Sequence, residues 1–236
     1  YEVRFLKKDG SVMDCLLTST LQYDREGNIT GYQGIVRDET ERRRHEKEIS
    51  LLQSITLAVS ETNDIRSALE VTIRKVCEAT GWVLGDAWIL CKDCGHLEWS
   101  TSWCMDKENE KLNRFIKLSK GFTFVSGEGL PGKVWSSRKY QWLRDVTISS
   151  NFPRSGYAND SGLKAAMGVP IMAGDKVVAV IDFFAYMAHN EDERLLGLIA
   201  SVADQLGSVL ERKMAEDSLR LSEERLREIA ENISEV

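Results

Sequence analysis

The sequence predicts an α+β chain: an antiparallel sheet flanked by helices, preceded by a meander of strands and followed by a long helix. Three observations carry this. Strand-like runs with a period near two occupy 1–37, 85–103 and 163–186. Apolar residues recur at threes and fours over 49–80 and 190–213. Residues 190–236 contain no proline and only two glycines, so little interrupts a helix there.

In chain order, Tyr1, Val3 and Phe5 alternate with Glu2, Arg4 and Leu6, and Asp9-Gly10 makes a hairpin turn. Val12 to Tyr23 is a second strand, Glu26-Gly27-Asn28 a turn, and Ile29 to Val36 a third strand. A meander this small cannot bury a stable core alone, so it packs on something else or ends a domain whose front is missing. Asp38-Glu39-Thr40-Glu41 opens a helix, with acidic groups at the positive end of its dipole. The run Glu41 to Glu48 mixes both signs and reads as a solvated face laced with i,i+4 pairs, not a polyanion site. Ile49, Leu52, Ile55 and Val59 form a helical seam. Asn63-Asp64 interrupts it and caps a second helix, where Ile65, Leu69, Ile73, Val76 and Cys77 share a face up to Gly81.

Ala87–Cys91 and His96–Trp103 read as strands about Lys92-Asp93-Cys94-Gly95. Residues 106–160 read as irregular, with one short helix near Pro131–Ser137. Leu163–Met172 and Val177–Tyr186 are strands joined at Gly174-Asp175, and the nearly unbroken apolar run of the second puts it at the sheet's centre. In the last helix Leu195, Leu198, Ile199, Val202, Leu206, Val209 and Leu210 form a broad stripe. Beyond Lys213 the seam thins to Leu219, Leu226, Ile229 and Ile233. The step from Val209 to Leu219 breaks the seven-residue rhythm and predicts a discontinuity. So thin a seam needs a partner helix, most simply its own copy in a parallel homodimer.

With 42% hydrophobic residues and three prolines in 236, the chain is neither disordered nor Pro-rich. A net charge of −6 argues against nucleic acid as partner. No apolar run reaches the ~18 residues that span a bilayer. The cysteines (Cys15, Cys77, Cys91, Cys94 and Cys104) are odd in number and form no regular framework, which points to a reducing, cytoplasmic setting. The chain opens at Tyr1 inside a strand pattern and ends at Val236 inside a helix pattern, so the reading is a piece of a longer protein.

Few motifs suggest chemistry. Gly127-Glu-Gly-Leu-Pro-Gly-Lys-Val134 has phosphate-loop spacing, but Val134 stands where a hydroxyl should hold magnesium. Pro131 also removes a backbone donor, so a structural turn into a helix is the stronger reading. Cys91, Cys94, His96 and Cys104 invite a metal reading, yet there is one CxxC and no second, and His96 follows Cys94 too closely. The c-type haem pattern is missed by Gly95. His45, His96 and His189 stand near no Ser or Cys in a nucleophile-elbow context. Asp182 is a charge inside an apolar strand, on the face of Val178, Val180 and Phe184; it needs a partner or points into a ligand cavity. Phe122, Phe124, Trp135, Tyr140, Trp142, Phe152 and Tyr157 crowd together with Arg138, Arg144 and Arg154. Such a segment can line a small-molecule pocket, or can close a core that loops leave open.

Residues 48–213 resemble a GAF domain, a small-molecule sensory module. The match rests on the two leading helices, Gly127-Glu-Gly-Leu-Pro-Gly132, Trp142-Leu-Arg-Asp145, Phe152-Pro-Arg154, Gly162-Leu-Lys-Ala-Ala-Met-Gly-Val-Pro170, Val177–Phe184 and the closing helix. Residues 1–48 resemble the last strands of a PAS domain, through Lys8-Asp-Gly-Ser11, Asp24-Arg-Glu-Gly27 and Val36–Arg42. Residues 222–236 resemble the helix opening another such domain. The resemblance implies incomplete PAS strands at 1–40, a helical linker at 41–48, a GAF domain at 49–213 with about six antiparallel strands, and a coiled-coil signalling helix at 214–236. It implies a cytoplasmic signalling fragment, most often of a bacterial sensor histidine kinase of two-component type, with the kinase catalytic domains outside this chain.

Bilin-binding members carry a Cys, commonly followed by His, before the Gly-Leu strand. Tyr157-Ala-Asn-Asp-Ser-Gly-Leu163 has neither, which argues against a covalent bilin. Asn190-Glu-Asp-Glu193 lacks the Lys and Phe of cyclic-nucleotide binders. The expected cavity residues are Trp135, Trp142, Phe152, Arg154, Met167 and Asp182, for a ligand of unknown identity, and no catalytic residue is expected. The dimer helix would use Leu206, Val209, Leu219, Leu226, Ile229 and Ile233. Two rival readings are a ligand-free structural relay and a haem or metal redox sensor on Cys91, Cys94, His96 and Cys104.

Overall fold

The computed structural model describes the backbone of residues 1–62, 64–91, 94–188 and 190–234, with side chains only in part beyond residue 213. Two compact units divide it, Tyr1–Ser50 and Leu51–Val236.

In the first unit β1 (Glu2–Leu6), β2 (Val12–Tyr23) and β3 (Ile29–Asp38) pair antiparallel in that order, the meander that the turn residues predicted. Helix α1 (Thr40–Ser60) starts from it. Asp38 Oδ1 accepts the Thr40 N–H at 2.9 Å, and Thr40 Oγ1 accepts the Asp14 N–H of β2 at 2.9 Å, so the corner into the helix is fixed by two bonds. The charge run is internally paired, Arg42 with Glu46 at 3.0 Å and Arg44 with Glu41 at 3.1 Å. Cys15 is buried, but Tyr1, Leu6, Tyr32 and Ile35 stay exposed, as expected of a meander without its own core.

The second unit is a six-stranded antiparallel sheet with helices on both faces. Helix α2 (Ile65–Thr80) is capped by Asp64, whose carboxylate accepts from the Ser67 N–H at 2.9 Å, and it closes on Gly81 in the left-handed region, φ 79°. Asn63, the other expected cap residue, lies outside the described residues. Strands β4 (Leu84–Leu90) and β5 (Leu97–Cys104) form the first hairpin. Its Lys92-Asp93 turn also lies outside the described residues.

The segment read as irregular holds more order than expected: α3 (Glu110–Ser119), β6 (Thr123–Phe124), α4 (Gly129–Ser137), β7 (Gln141–Leu143) and α5 (Ser155–Asp160). Helix α3 buries Leu112 and Phe115, and the Asn109 side chain accepts from the Lys111 and Leu112 N–H groups at its start. Strands β8 (Ala165–Ala173) and β9 (Lys176–Ala185) follow, then α6 (Glu193–Ser234). The sheet order is β6-β5-β4-β9-β8-β7, so β9 is central, as its apolar run predicted.

One face of the sheet carries α2, α6 and the last turns of α1, over a core with Ile55, Leu69, Ile73, Ile181, Phe183 and Leu206. The other face carries α3, α4 and their loops, over Trp88, Phe115, Phe124, Phe152, Val180 and Phe184. Helix α6 comes very close to β8. A Cβ on Gly207 would stand 2.0 Å from the Met172 carbonyl oxygen, whereas one on Gly197 would meet open space. Lys213 of α6 reaches back to the end of α1, where its ammonium donates to the Val59 carbonyl at 3.0 Å and to the Thr62 carbonyl.

Two expectations about α6 change. The helix is continuous through 209–219, with no break. Among the described residues Leu210 is the last one buried against the sheet, while the backbone runs on unbroken. Leu206 and Val209, expected on a dimer seam, are buried in the core against the sheet. The side chains of Leu219, Leu226, Ile229 and Ile233 lie outside the described residues.

Candidate functional site

Strand pairing sets two carboxylates side by side. In register Asp86 of β4 faces Asp182 of β9, and Asp182 faces Gly168 of β8. Period-two alternation then sends both aspartates to the α3–α4 face, with Val180 and Phe184. Like charges opposite one another on neighbouring strands repel, so this arrangement needs a cation.

Arg154 supplies it. The residue stands just ahead of α5, and its side chain has no solvent exposure. One guanidinium nitrogen donates to Asp86 at 2.5 Å and to Ser119 Oγ at 3.1 Å; the other donates to Asp182 at 2.9 Å. The Trp88 indole N–H donates to the second oxygen of Asp86 at 3.0 Å. Around the cation stand five aromatic rings (Trp88, Phe115, Phe124, Phe152 and Phe184), with centroids 4.9–5.7 Å from the guanidinium carbon. Ring faces at this range attract a desolvated cation, which helps offset the burial of a charge.

The balance is incomplete. Two carboxylates share one guanidinium, and both Asp182 Oδ1 and Arg154 Nε are buried without a hydrogen-bond partner. Burial drives the carboxyl pKa of Asp86 up, against the pull of Arg154. Asp182 is pushed well above the usual carboxylate range, by burial first and by the Asp86 charge second. Burial thus pushes both carboxyls toward their neutral forms, with Arg154 opposing. The free oxygen of Asp182 points to Gly168, where an added Cβ would lie 2.9 Å from that oxygen and 2.8 Å from Val134 of α4. Glycine at 168 is what lets β8, Asp182 and α4 pack this closely.

Of the six expected cavity residues the structure brings three together: Phe152, Arg154 and Asp182. Trp135 packs half-buried against the same core from α4. Met167 and Trp142 go elsewhere. They are partners in register, one residue out of step with Gly168, so both face the α2–α6 side, where Trp142 stacks edge-on against Trp82 at 5.6 Å. Sequence reasoning missed Asp86 and Ser119. Asp86 carried the same signal as Asp182, a lone acid in an apolar strand, in Leu84-Gly-Asp-Ala-Trp-Ile-Leu90.

The glycine loop is structural. The Gly127 N–H donates to the Gly132 carbonyl at 2.8 Å, the Gly129 N–H to Asn151 Oδ1 at 3.1 Å and the Gly132 N–H to the Glu128 carbonyl at 3.0 Å, so donors that would cradle a phosphate are already used. The four residues of the rival metal reading, Cys91, Cys94, His96 and Cys104, do not come together. Cys104 sits buried at the far end of the β4–β5 hairpin, opposite Leu84. Cys91 and Cys94 are disulfide-bonded to each other, and the His96 ring engages Glu98 at 3.1 Å. His189 lies outside the described residues. Elsewhere in the unit a cleft of about 810 Å³ opens between Ile65, Ile89, Leu90, Val178, Leu210 and Lys213.

Residues 62–211 match the family description "GAF domain". Over 241 aligned residues the chain is 24% identical to a "Methyl sulfide methyltransferase-associated sensor" from Methanosarcina acetivorans. The alignment takes in 99% of this chain but 23% of that protein, so the chain spans under a quarter of that relative's length. Among solved structures, the GAF domain of a phosphoenolpyruvate-protein phosphotransferase from Coxiella burnetii superposes with a TM-score of 0.60 at 17% identity, covering 73% of this chain and 98% of that one. The free methionine-R-sulfoxide reductase of Neisseria meningitidis, in complex with its substrate, gives 0.58 at 16% identity, covering 72% and 91%. At such identities the likeness is one of fold.

Proposed function

The chain belongs to the GAF domain family, and from that premise we propose that it is a non-catalytic sensory unit that recognises a small polar molecule at the Arg154 centre and passes the result to α6. The sensor-named relative supports a sensory and regulatory role. The observation that carries the ligand reading is the unpaired Asp182 oxygen, buried beside Arg154 and walled by aromatic rings. A ligand with hydrogen-bond donors, admitted when the α4–α5 segment lifts, would complete that carboxyl and redistribute the Arg154 bonds. Asp86 lies on β4 and Asp182 on the neighbouring β9, which pairs with β8, on which α6 rests, so the change reaches α6 through the sheet.

The parent chain in this proposal is a bacterial sensor histidine kinase of the cytoplasm, with the first unit as the end of a PAS domain. Helix α6 has 42 residues, and among the described residues the last one buried in the core is Leu210. That length supports a parallel homodimer joined along it. The ligand-free relay is the second reading, favoured by the completeness with which side chains close over Arg154. A haem or metal sensor on Cys91, Cys94, His96 and Cys104 loses support from the distant, buried Cys104.

Thermal unfolding of the full chain against a library of amines, amides and ureas separates the first two readings. The ligand reading expects one compound class to raise the melting temperature of the wild type and not of Asp182→Asn. No shift from any compound, or equal shifts in both proteins, leaves the relay. Sedimentation velocity tests the dimer, and a monomer at every concentration removes it.

A further inference from the structure

The geometry points to a reversible dithiol–disulfide site at the tip of the β4–β5 hairpin, formed by Cys91 and Cys94 and exchanging with small organic thiols and disulfides. Cys91 follows the last residue of β4, and Cys94 sits in the turn. The backbone sets their Cα atoms 5.3 Å apart, the spacing a disulfide requires, and the two sulfurs are paired. Cys91 and Gly95, on either side of the pair, are held by backbone bonds independent of the disulfide. The Cys91 N–H donates to the His96 carbonyl at 3.0 Å, the Gly95 N–H to the Cys91 carbonyl at 3.2 Å, and Gly95 takes φ 67°, which glycine tolerates. The two thiols of the reduced state thus stay face to face, and closing the ring demands little rearrangement.

The two sulfurs are not equivalent. Cys94 is exposed and Cys91 half-buried, and the Cys94 N–H points at the Cys91 sulfur at 3.1 Å. An incoming thiolate therefore meets Cys94 first. It bonds to that sulfur, the Cys91–Cys94 bond breaks, and the electron pair leaves on Cys91 as a thiolate that the Cys94 N–H stabilises. A second thiol attacks the mixed disulfide and releases Cys94. The sum is one protein disulfide plus two small thiols giving two protein thiols plus one small disulfide, with the two protons moving from the small thiols to Cys91 and Cys94. Oxidation runs the same steps backward, with the small disulfide as oxidant.

The remaining cysteines do not compete. Cys15, Cys77 and Cys104 are buried, and burial pushes each thiol pKa up, Cys77 furthest. The sulfurs of Cys91 and Cys94 also lie within 4.8 Å of a Glu98 carboxylate oxygen, three donors that a thiophilic cation could use once the pair is reduced. The sulfurs bonded to each other favour the redox reading, and zinc becomes a result that counts against it. The site stands apart from the Arg154 centre and does not depend on it. Its neighbours give it an outlet, since Ile89 and Leu90, immediately before Cys91, line the cleft together with Leu210 and Lys213 of α6.

The test equilibrates the full native chain across a series of reduced-to-oxidised glutathione ratios, quenches in acid, alkylates under denaturing conditions and counts alkyl groups by mass spectrometry. Cys91 and Cys94 are expected to gain or lose protection together, from two alkylations at the reducing end to none at the oxidising end, while the other three cysteines react throughout. Cys91→Ser is expected to trap glutathione on Cys94 under oxidising conditions, at several times the occupancy of Cys94→Ser, where the half-buried Cys91 is left. Any of three results overturns the proposal: a pair that stays fully alkylated at the most oxidising ratio, cysteines that oxidise one at a time without pairing, or one equivalent of zinc held by the reduced protein that blocks exchange.

Discussion

Replacing Arg154 with Met deprives two fully buried carboxylates of their shared cation. Met keeps most of the aliphatic stem, so the packing among Trp88, Phe115 and Phe184 changes little while three donor contacts, at 2.5, 2.9 and 3.1 Å, disappear. Were this an exposed ion pair, its loss would cost about 0–1 kcal/mol. With no exposure at Arg154 and Asp182, the figure for breaking a buried pair applies, about 3–5 kcal/mol. For a domain of this size that is a fall in melting temperature of roughly 6–20 °C. All six tryptophans lie between 82 and 142, so indole fluorescence during urea denaturation reports the second unit alone. The deficit should shrink on acidification, because the stranded carboxyls take up protons that Arg154 no longer opposes. A loss below about 1 kcal/mol, or one that does not change with pH, would refute the claim that this centre is a desolvated charge cluster.

Three further outcomes follow from the same geometry. The folded chain holds a proton on Asp182 more tightly than the unfolded chain does, so this group's contribution is full at low pH and lost as pH rises through its raised folded pKa; Asp182→Asn should therefore gain on the wild type in urea titrations as pH is raised above the ordinary carboxylate range. Asp64 behaves in the opposite sense, its pKa lowered by the Ser67 N–H and then by the Ser67 hydroxyl, so Asp64→Ala should cost about 0.5–2 kcal/mol at neutral pH and less once acid has protonated the cap. Gly207→Ala should push α6 off the Met172 carbonyl and speed hydrogen exchange along 193–210, whereas Gly197→Ala, with open space around it, should stabilise by up to about 1 kcal/mol.

Much of the fold was legible because its signals are local. The turns Asp9-Gly10 and Gly174-Asp175, the Asp64 cap and the apolar run of β9 each state their structure within a few residues. The helix α3 was missed although Asn109 and the spacing of Leu112, Phe115 and Ile116 announce it, because ten residues in a polar stretch give a weak period. The site was half legible. Asp182 stood out as a charge among apolar neighbours. Arg154 stood in the expected cavity set, but its bonds to Asp86 and Asp182 were not legible, since those partners come from strands far away in the chain. Met167 and Trp142 illustrate what register decides: one residue's offset from Gly168 carries both to the opposite face, and no single-strand pattern fixes that offset.

The last turn of an isolated helix leaves its carbonyls to water, and such ends fray and re-form residue by residue. At α1 that job belongs to a charged group on another helix, the Lys213 ammonium, which holds the Val59 and Thr62 oxygens together. The joint behaves as a buckle, not a spring. A slide of α6 longer than the flexible lysine stem can follow takes these acceptors out of reach together. The end of α1 is then fastened to α6 through one side chain, and whatever moves α6 far enough to lose it leaves those carbonyls to water.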